Sequence, residues 1–396
     1  MSYSERILTK VFCNLAIGQL VGRKSRDMIR LCTKVFFALL LIGVMHTALS
    51  QQLKPGFQKG EFREMMLISA RTTADTAYAA KFPPPEHFKM IYQSQPIGLD
   101  NLWDLWISDN KVAVISIRGT TRKTESWLAN LYAAMVPAKG ILQLSSTDTF
   151  AYNLASDPHA AVHVGWLLST AYLSKEIVPK VQELSGQGYK DMLIVGHSQG
   201  GGISYLLTSY LYQLQQEGRI SKDIRFKTYC AAAPKPGNLY YAYDYEAKTQ
   251  GGWAFNVVNT ADWVPEVPMS IQTLKDFNAV NPFVNAEMMI KKQKFIKRLA
   301  LKHVYNKLSK PTARAQKNYE KYLGKMTSKM VQEHIKGYVP PAYYSSNHYV
   351  RTGKTIVLVP NEDYHKKYPD DTSEIFIHHL HAPYLFLLEQ LDENVH

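Results

Sequence analysis

The fold is decided by the stretch Met192-Leu-Ile-Val-Gly196-His-Ser198-Gln-Gly200-Gly-Gly-Ile-Ser-Tyr-Leu-Leu207. Apolar residues up to Val195 predict a short buried strand, and the apolar positions after Gly202 predict a long helix. The turn between them carries the pattern Gly-x-Ser-x-Gly around Ser198. A sharp strand-to-helix turn holds its serine in a strained backbone, and only glycine fits two residues before and two residues after it. The stretch therefore predicts a serine hydroxyl presented above the edge of a sheet.

The sequence around this stretch predicts an α/β fold. Strands alternate with helices between about residues 100 and 260, which is typical of βαβ units in a mostly parallel sheet with helices on both faces. The predicted helices cover residues 60–81, 127–134, 165–184 and 203–216. The predicted strands cover residues 101–107, 112–117, 192–195, 227–233 and 254–259. The chain has 396 residues, 46% of them hydrophobic, which is enough for a sizeable core and excludes a disordered chain.

A serine nucleophile needs a base and an acid that orients the base, and in this kind of fold the chain order is serine, acid, histidine. Asp262 comes directly after the last predicted strand, and prolines at 265 and 268 constrain the loop that follows it. The segment Ile377-His378-His379-Leu380-His381 offers three candidate bases. Clustered histidines are also metal ligands, but no cysteine or carboxylate set accompanies them at ligand spacing. We therefore expect no metal site and no cofactor.

Four blocks of sequence, in order, resemble the class 3 (fungal-type) lipases, a branch of the α/β-hydrolases. Residues 112–121 end in Arg-Gly-Thr-Thr and precede a Trp-Leu helix, and residues 162–166 read Val-His-Val-Gly-Trp. Residues 196–201 are similar to the Gly-His-Ser-Leu-Gly-Gly turn of that family. The strand and acid loop of the family are matched at residues 229–238 and 259–265. The resemblance covers roughly residues 60–270 and 370–390.

The resemblance implies a role for each candidate residue. It makes Ser198 the nucleophile and Asp262 the orienting acid. The backbone N–H groups of Thr120 and Gln199 would stabilise the oxyanion, with the Thr120 hydroxyl as a third donor. The family places its base before a leucine, or five residues before a tyrosine, and both rules select His379. His381 is the second choice for the base and His378 the third, while His163 is expected to be structural.

The sequence departs from the family at two places. Gln199 stands where the family has a hydrophobic residue after the nucleophile, and Asp262 is 117 residues from His379, about twice the usual distance. The excess is a basic segment. Residues 285–336 contain 14 Lys and Arg against three Asp and Glu, a net charge of +11 out of +13 for the whole chain.

We expect the basic segment to form a helical insertion over about residues 285–337. Apolar residues on one face of its first helix are Met289, Ile296, Ala300, Val304 and Leu308, with Lys291, Lys294, Arg298 and Lys302 opposite. Pro311 is predicted to interrupt the helix. The inward residues of the second helix are predicted to be Tyr319, Tyr322, Met326 and Met330. A row of like charges on that helix is formed by Lys317, Lys321, Lys325 and Lys329.

Two interpretations of the insertion stay open. Basic amphipathic helices suit an anionic lipid surface, which would make the insertion an interfacial cap beside the active site. A helical hairpin surrounded by solvent is the other interpretation. We expect no nucleic-acid partner, because no known binding module is present, and the sequence does not indicate an oligomeric state.

Residues 1–50 have the pattern of a signal peptide with an N-terminal extension. An apolar run over residues 35–49 follows five basic residues and precedes small and polar ones. The run is shorter than the ~20 residues of a spanning helix. A start at Met28 would give a signal peptide of ordinary length. The prediction is therefore an exported protein, secreted or periplasmic, whose hydrolase domain spans residues 51–396; a retained membrane anchor is the alternative.

Two functional hypotheses follow. The first is a serine carboxylic-ester hydrolase that forms an acyl-enzyme at Ser198, and the resemblance implies acylglycerols or phospholipids as substrates. The second is a catalytically silent lipid- or envelope-binding protein on the same scaffold. The reactivity of Ser198 distinguishes the two.

Overall fold

A computed structural model describes residues 53–73 and 75–392. The predicted signal peptide lies outside these residues. The described helices are α1 (Lys59–Ser69), α2 (Thr76–Ala79), α3 (Thr124–Leu131), α4 (Val164–Gly186), α5 (Gln199–Gln216), α6 (Leu239–Thr249), α7 (Ala286–Lys291), α8 (Phe295–Glu320), α9 (Thr327–His334), α10 (Glu362–Lys367) and α11 (His381–Glu389). The described strands are β1 (Lys89–Gln93), β2 (Trp103–Ile107), β3 (Val112–Ile117), β4 (Met135–Pro137), β5 (Lys139–Gln143), β6 (Thr149–Asn153), β7 (Ala161–His163), β8 (Asp191–His197), β9 (Arg225–Ala231), β10 (Gly237–Asn238), β11 (Ala254–Asn259), β12 (Tyr349–Val350) and β13 (Lys354–Leu358).

The central sheet has seven strands in the order β1-β2-β3-β8-β9-β11-β13. The five strands from β3 to β13 are parallel, and β1 and β2 form an antiparallel edge. The mostly parallel sheet expected from the alternation of strands and helices is confirmed. The carboxyl ends of β3, β8 and β11 therefore lie along one edge of the sheet, and they carry Thr120, Ser198 and Asp262.

Strand β8 shows why both faces of the sheet are covered. Its side chains alternate between two hydrophobic clusters, as expected for a strand buried on both sides. Met192 and Ile194 pack with helices α4 and α5, and Leu193 and Val195 pack with α1 and α11. Helices on both faces, as predicted, hold the strand rigid where it ends at the serine turn.

Part of the β structure was absent from the sequence prediction. A second sheet of four short strands has the order β12-β10-β7-β4, and β5 and β6 form a separate hairpin. These strands have two to five residues each. Such short segments lack the alternation over several residues that marks a strand in sequence.

The single helix predicted over residues 60–81 is wrong. Helix α1 ends at Ser69, and α2 begins only at Thr76. The Thr72 hydroxyl donates to the Ile68 carbonyl at 3.1 Å and pairs with the Ser116 hydroxyl at 2.6 Å, which ties the chain to the sheet. The Asp75 side chain then accepts from the Tyr78 N–H and begins the second helix.

The break predicted at Pro311 is also wrong, because α8 runs through it. Proline removes one hydrogen bond of a helix and bends it, but the helix continues when the turns on both sides are stable. A π-helical turn, Lys321–Met326, then connects α8 to α9.

The π-helical turn also overturns the predicted inward face. The extra residue in each π turn shifts the phase of the helix. Tyr319 is buried as predicted, but Tyr322, Met326 and Met330 are exposed. Gly324, Thr327 and Val331 face the body instead.

Candidate active site

Ser198 lies at the junction of β8 and α5 in a strained conformation. Its φ is 61° and its ψ is −130°, in a region that residues other than glycine rarely adopt. The Ser198 N–H donates to the Ala231 carbonyl at 2.9 Å, and its carbonyl accepts from the Gly202 N–H at 3.1 Å. The surrounding strands and helix therefore hold a half-buried serine in place.

The two glycines around Ser198 are required by the tightness of the turn. A Cβ atom on Gly196 would lie 2.2 Å from the Gly200 carbonyl group, and one on Gly200 would lie 2.2 Å from the Ile117 carbonyl oxygen. Both contacts are with backbone, which cannot move aside as a side chain can. The reason inferred from the sequence for the Gly-x-Ser-x-Gly pattern is confirmed.

Asp262 lies in the loop after β11 and is buried. Its Oδ2 accepts hydrogen bonds from His379 Nδ1 and from the Tyr384 hydroxyl, both at 2.8 Å. Its Oδ1 accepts from the Val264 N–H at 3.0 Å. Burial and the nearby Asp262 carboxylate raise the pKa of the Tyr384 hydroxyl well above its usual value, so Tyr384 stays a hydrogen-bond donor.

Asn259 fixes this loop, and the sequence analysis assigned it no role. Its backbone N–H donates to the Tyr384 hydroxyl at 3.1 Å. Its side-chain amide donates to the Tyr364 hydroxyl at 2.8 Å and to the His378 carbonyl at 3.0 Å. Asn259 thus joins the acid loop to the histidine segment, 119 residues away in sequence, in addition to the contact between Asp262 and His379. In the sequence, Asn259 is marked only by the Asn-x-x-Asp pattern that it forms with Asp262.

The three candidate histidines have different partners. His379 Nδ1 contacts Asp262, which leaves Nε2 as the nitrogen that can exchange a proton. His381 is engaged on both nitrogens, by the Tyr78 hydroxyl at 2.8 Å and the Ser69 hydroxyl at 3.2 Å. His378 contacts the Tyr364 hydroxyl at 2.9 Å and Asp370 at 3.0 Å. Of the three, His379 alone pairs with Asp262.

His379 does not lie directly at the end of a strand. Strand β13 ends at Leu358, and α10 lies between that strand and His379. The sequence analysis did not detect β13, so it could not place the histidine relative to the sheet. Hydrogen bonds of the following turn to Asn259 and Asp262 bring His379 back to the sheet edge.

His197 connects the serine turn to the histidine segment. Its ring lies 4.8 Å from the His379 ring and stacks on His381 at 4.2 Å, measured between centroids. Burial and the two neighbouring imidazoles hold the pKa of His197 well below its usual range. Burial likewise lowers the pKa of His381 to about 3. Both rings are therefore neutral at pH 7. The His379 ring lies beside His197, the residue that precedes Ser198.

Thr120 lies at the other side of Ser198. A Cβ on the preceding Gly119 would be only 3.5 Å from the Ser198 Cβ, so the β3 loop passes directly beside the serine. The Thr120 hydroxyl accepts from Asn130 Nδ2 at 2.9 Å. Its own hydrogen is thereby left free to donate toward a substrate oxygen.

His163 supports this loop through Asn130. Its Nε2 lies 3.2 Å from the Asn130 carbonyl, and its Nδ1 accepts from the Trp166 N–H at 3.3 Å. Trp166 Nε1 donates to Asn130 Oδ1 at 3.1 Å. Burial lowers the pKa of His163 to about 3. The structural role expected of His163 is confirmed, since it holds the residue that holds Thr120.

Gln199 departs from the family pattern for a local reason. Its side chain is buried and donates from Nε2 to the Ser126 carbonyl at 2.8 Å. The Ser126 hydroxyl donates to Gln199 Oε1 at 3.4 Å and accepts from the Thr121 N–H at 3.0 Å. The amide thus ties helix α3 and the Thr120 loop to the start of α5. Gln199 also supplies the first backbone N–H of α5, where the helix dipole favours negative charge.

No group of three or more His, Cys, Asp or Glu side chains in metal-binding geometry occurs within residues 53–73 and 75–392. The histidine cluster instead consists of ring contacts and of hydrogen bonds to hydroxyl groups and carboxylates.

Part of the chain matches a known protein family. Residues 114–271 match the family model described as Lipase (class 3). This segment is about two fifths of the chain, and it is similar to the class 3 lipases. The resemblance inferred from four sequence blocks is confirmed by this match, and the central sheet is mostly parallel, as expected of an α/β-hydrolase. The match supports an ester hydrolase of the lipase type.

Three solved structures that are similar to this chain are fungal lipases. The native propeptide complex of Rhizomucor miehei lipase is 23% identical, covering 56% of this chain and 70% of that chain, with a TM-score of 0.39. Lipase from Rhizopus microsporus var. chinensis is 24% identical, covering 53% and 69%, with a TM-score of 0.39. Lipase II from Rhizopus niveus is 24% identical, covering 53% and 75%, with a TM-score of 0.38. The search of curated proteins gave no match.

Proposed function

We propose that this lipase is an exported enzyme that hydrolyses acylglycerol or phospholipid esters, with Ser198, His379 and Asp262 as its triad. The observation that carries the assignment is the 2.8 Å contact between Asp262 Oδ2 and His379 Nδ1, beside a serine held at positive φ. Export is inferred from the basic and apolar pattern of residues 23–50.

The first half of the proposed reaction forms the tetrahedral intermediate. His379 Nε2 takes the proton of the Ser198 hydroxyl as the Ser198 oxygen attacks the ester carbonyl. Asp262 holds the proton on Nδ1 and stabilises the imidazolium that forms. The negative charge on the former carbonyl oxygen is met by the N–H groups of Gln199 and Thr120 and by the Thr120 hydroxyl.

The second half regenerates the enzyme. His379 gives its proton to the departing alcohol, the carbon–oxygen bond to that alcohol breaks, and the acyl group stays on Ser198. Water then attacks the acyl-enzyme with His379 as base, which releases the fatty acid and restores the serine. Asp262, Tyr384 and Asn259 need not move in either half, so the cost of orienting the histidine is met on folding.

Hydrolysis of a panel of p-nitrophenyl esters, triacylglycerols and phospholipids tests the proposal. We expect turnover of at least one lipid class, and its complete loss in Ser198→Ala. A folded wild-type protein that cleaves none of them would favour the silent lipid-binding alternative. Mass spectrometry of the N-terminus after export tests the signal peptide; a mature chain that retains residues 28–50 would contradict export by cleavage.

A further inference from the structure

The first part of the basic insertion is an exposed helix. From Phe295 to Val304 every residue except Arg298 is exposed, on all sides of the helix. Ile296 is 81% exposed and Leu308 is 69% exposed. Other apolar side chains exposed on this part of the chain are Met288, Met289, Phe295, Leu299, Leu301 and Val304. So many exposed apolar side chains close together mark an interaction surface.

The charge of the same segment has one sign. Between Glu287 and Glu320 the chain has ten Lys and Arg and no Asp or Glu. Within the described residues, none of these ten side chains forms an ion pair; the nearest pair along the chain joins Lys325 and Glu320. His303, Lys307, Lys310 and Arg314 line one shallow groove beside Pro311. The helix therefore presents uncompensated positive charge next to exposed apolar residues.

We propose that helices α7 and α8 bind the surface of an anionic lipid bilayer, with the apolar side chains among the acyl chains and the cations at the headgroups. A helix with an apolar face and Lys and Arg around it lies in the interface of such a membrane. Among residues 53–73 and 75–392, no helix combines the length and the apolarity that crossing a bilayer needs. The proposal deepens the proposed function, because it names where this lipase meets its substrate.

The other occupants of this surface fit less well. A second copy of the helix would bring two strongly positive segments together, which is unfavourable without anions between them. A nucleic acid would neutralise the cations but would leave Ile296 and Leu308 in water. An anionic bilayer satisfies both the charge and the apolar area, and an ester lipid is the substrate class proposed for the site.

The base of the insertion packs beside the active site. The Leu323 carbonyl accepts from the Ala134 N–H at 3.1 Å, and His334 lies 3.6 Å from Glu125 of α3. Helix α3 in turn carries Ser126, which bonds to Gln199 and to the Thr121 N–H. Binding through α8 would therefore attach the lipid surface to the side of the body that carries α3.

Vesicle flotation measures the binding directly. The probes are vesicles of phosphatidylcholine alone and of equal parts phosphatidylcholine and phosphatidylglycerol. We expect binding to the anionic vesicles only, weakened by salt. The triple variant Lys297→Gln, Arg298→Gln, Lys302→Gln should bind about a hundredfold more weakly. The matched control, Lys222→Gln, Lys354→Gln, Lys366→Gln, removes three exposed charges outside the insertion and should bind like wild type.

The remaining variants separate this proposal from the enzyme assignment. Ser198→Ala should lose hydrolysis and still bind anionic vesicles. Ile296→Asn with Leu308→Asn should lose binding at unchanged charge, and circular dichroism shows whether it folds. Equal binding by the two triple variants, equal binding to neutral vesicles, or assembly into dimers that occludes the helix would overturn the membrane proposal. None of these outcomes would change the role proposed for Ser198.

Discussion

Residues of the same type have opposite environments in the body of this protein and in the helical insertion that begins at residue 286. In the body, Ile194 is fully buried and Arg118 pairs with Asp100 at 2.9 Å. In the α8 helix, Ile296 is exposed and the cations have no acidic partners among the described residues. Side chains that pack against several elements have fixed positions and can orient reacting atoms. Exposed side chains on a single helix are available for contact with another surface. The comparison therefore supports the two proposals, chemistry in the body and attachment to a lipid surface through the helix.

The largest expected effect lies within the body, where two adjacent histidines have different partners. His379→Gln should lower kcat/KM by about 10⁴-fold or more, because the base paired with Asp262 is lost. His378→Gln, the matched control, breaks contacts to Tyr364 and Asp370 and should cost less than about tenfold. Steady-state hydrolysis of a soluble ester measures both. Equal losses would show that the histidine segment acts only through its fold.

A matched pair of isoleucines sharpens the comparison in terms of stability. Ile194→Ala in β8 should lower the free energy of unfolding by about 2–5 kcal/mol, because it leaves a cavity between packed layers. Ile296→Ala on the exposed part of α8 should change it by less than about 0.5 kcal/mol. Urea denaturation measures both values. A large loss at Ile296 would mean that the helix packs on the body in solution.

The oxyanion loop is expected to show an intermediate effect. Thr120→Val removes a hydroxyl whose hydrogen is free to donate, and should lower kcat about ten- to a hundredfold with little change in KM. Thr121→Val is the control, because the Thr121 hydroxyl donates to Asp100 and not toward the site. An unchanged kcat in Thr120→Val would remove the hydroxyl from the mechanism and leave only backbone donors.

The smallest expected effect, counted per residue, is the change that each buried imidazole makes to the free energy of unfolding as the pH falls. His163 and His381 have pKa values of about 3 in the folded protein, and His197 is also lowered, against an ordinary value of 6.5. The unfolded chain therefore binds protons that the folded chain does not, so stability is full above about pH 6.5 and is lost as the pH falls toward 3. Near pH 5 the loss should be at most about 2 kcal/mol for each imidazole. Urea denaturation at pH 7 and pH 5 measures it, and equal stability would contradict the burial of these rings.

Sequence alone predicted the parts of the fold that depend on local pattern. The strand-turn-helix at Ser198, the parallel sheet and the position of Asp262 all follow from periodicity and from glycine and proline at fixed offsets. His379 could be preferred over its neighbours only by resemblance, because its contact with Asp262 joins residues 117 apart. Local pattern contains no information about such a pairing.

The remaining differences arise where tertiary contacts or backbone details override local preference. The π-helical turn Lys321–Met326 shifted the buried face of the insertion by a phase that no periodic pattern predicts. Gln199 departs from the family pattern, and its hydrogen bond to the Ser126 carbonyl gives the departure a structural reason. Asn259 and Tyr384 act through hydrogen bonds to residues distant in sequence, so the sequence showed them only as positions in motifs.

Labelling with a fluorophosphonate probe, followed by mass spectrometry of the modified peptide, tests the central assignment most directly. The probe reacts with a serine only when a neighbouring base activates it. The triad predicts a single adduct, on Ser198, that is absent in Ser198→Ala and formed far more slowly in His379→Gln than in His378→Gln. A folded wild-type protein that stays unlabelled, or one labelled equally fast without His379, would contradict it.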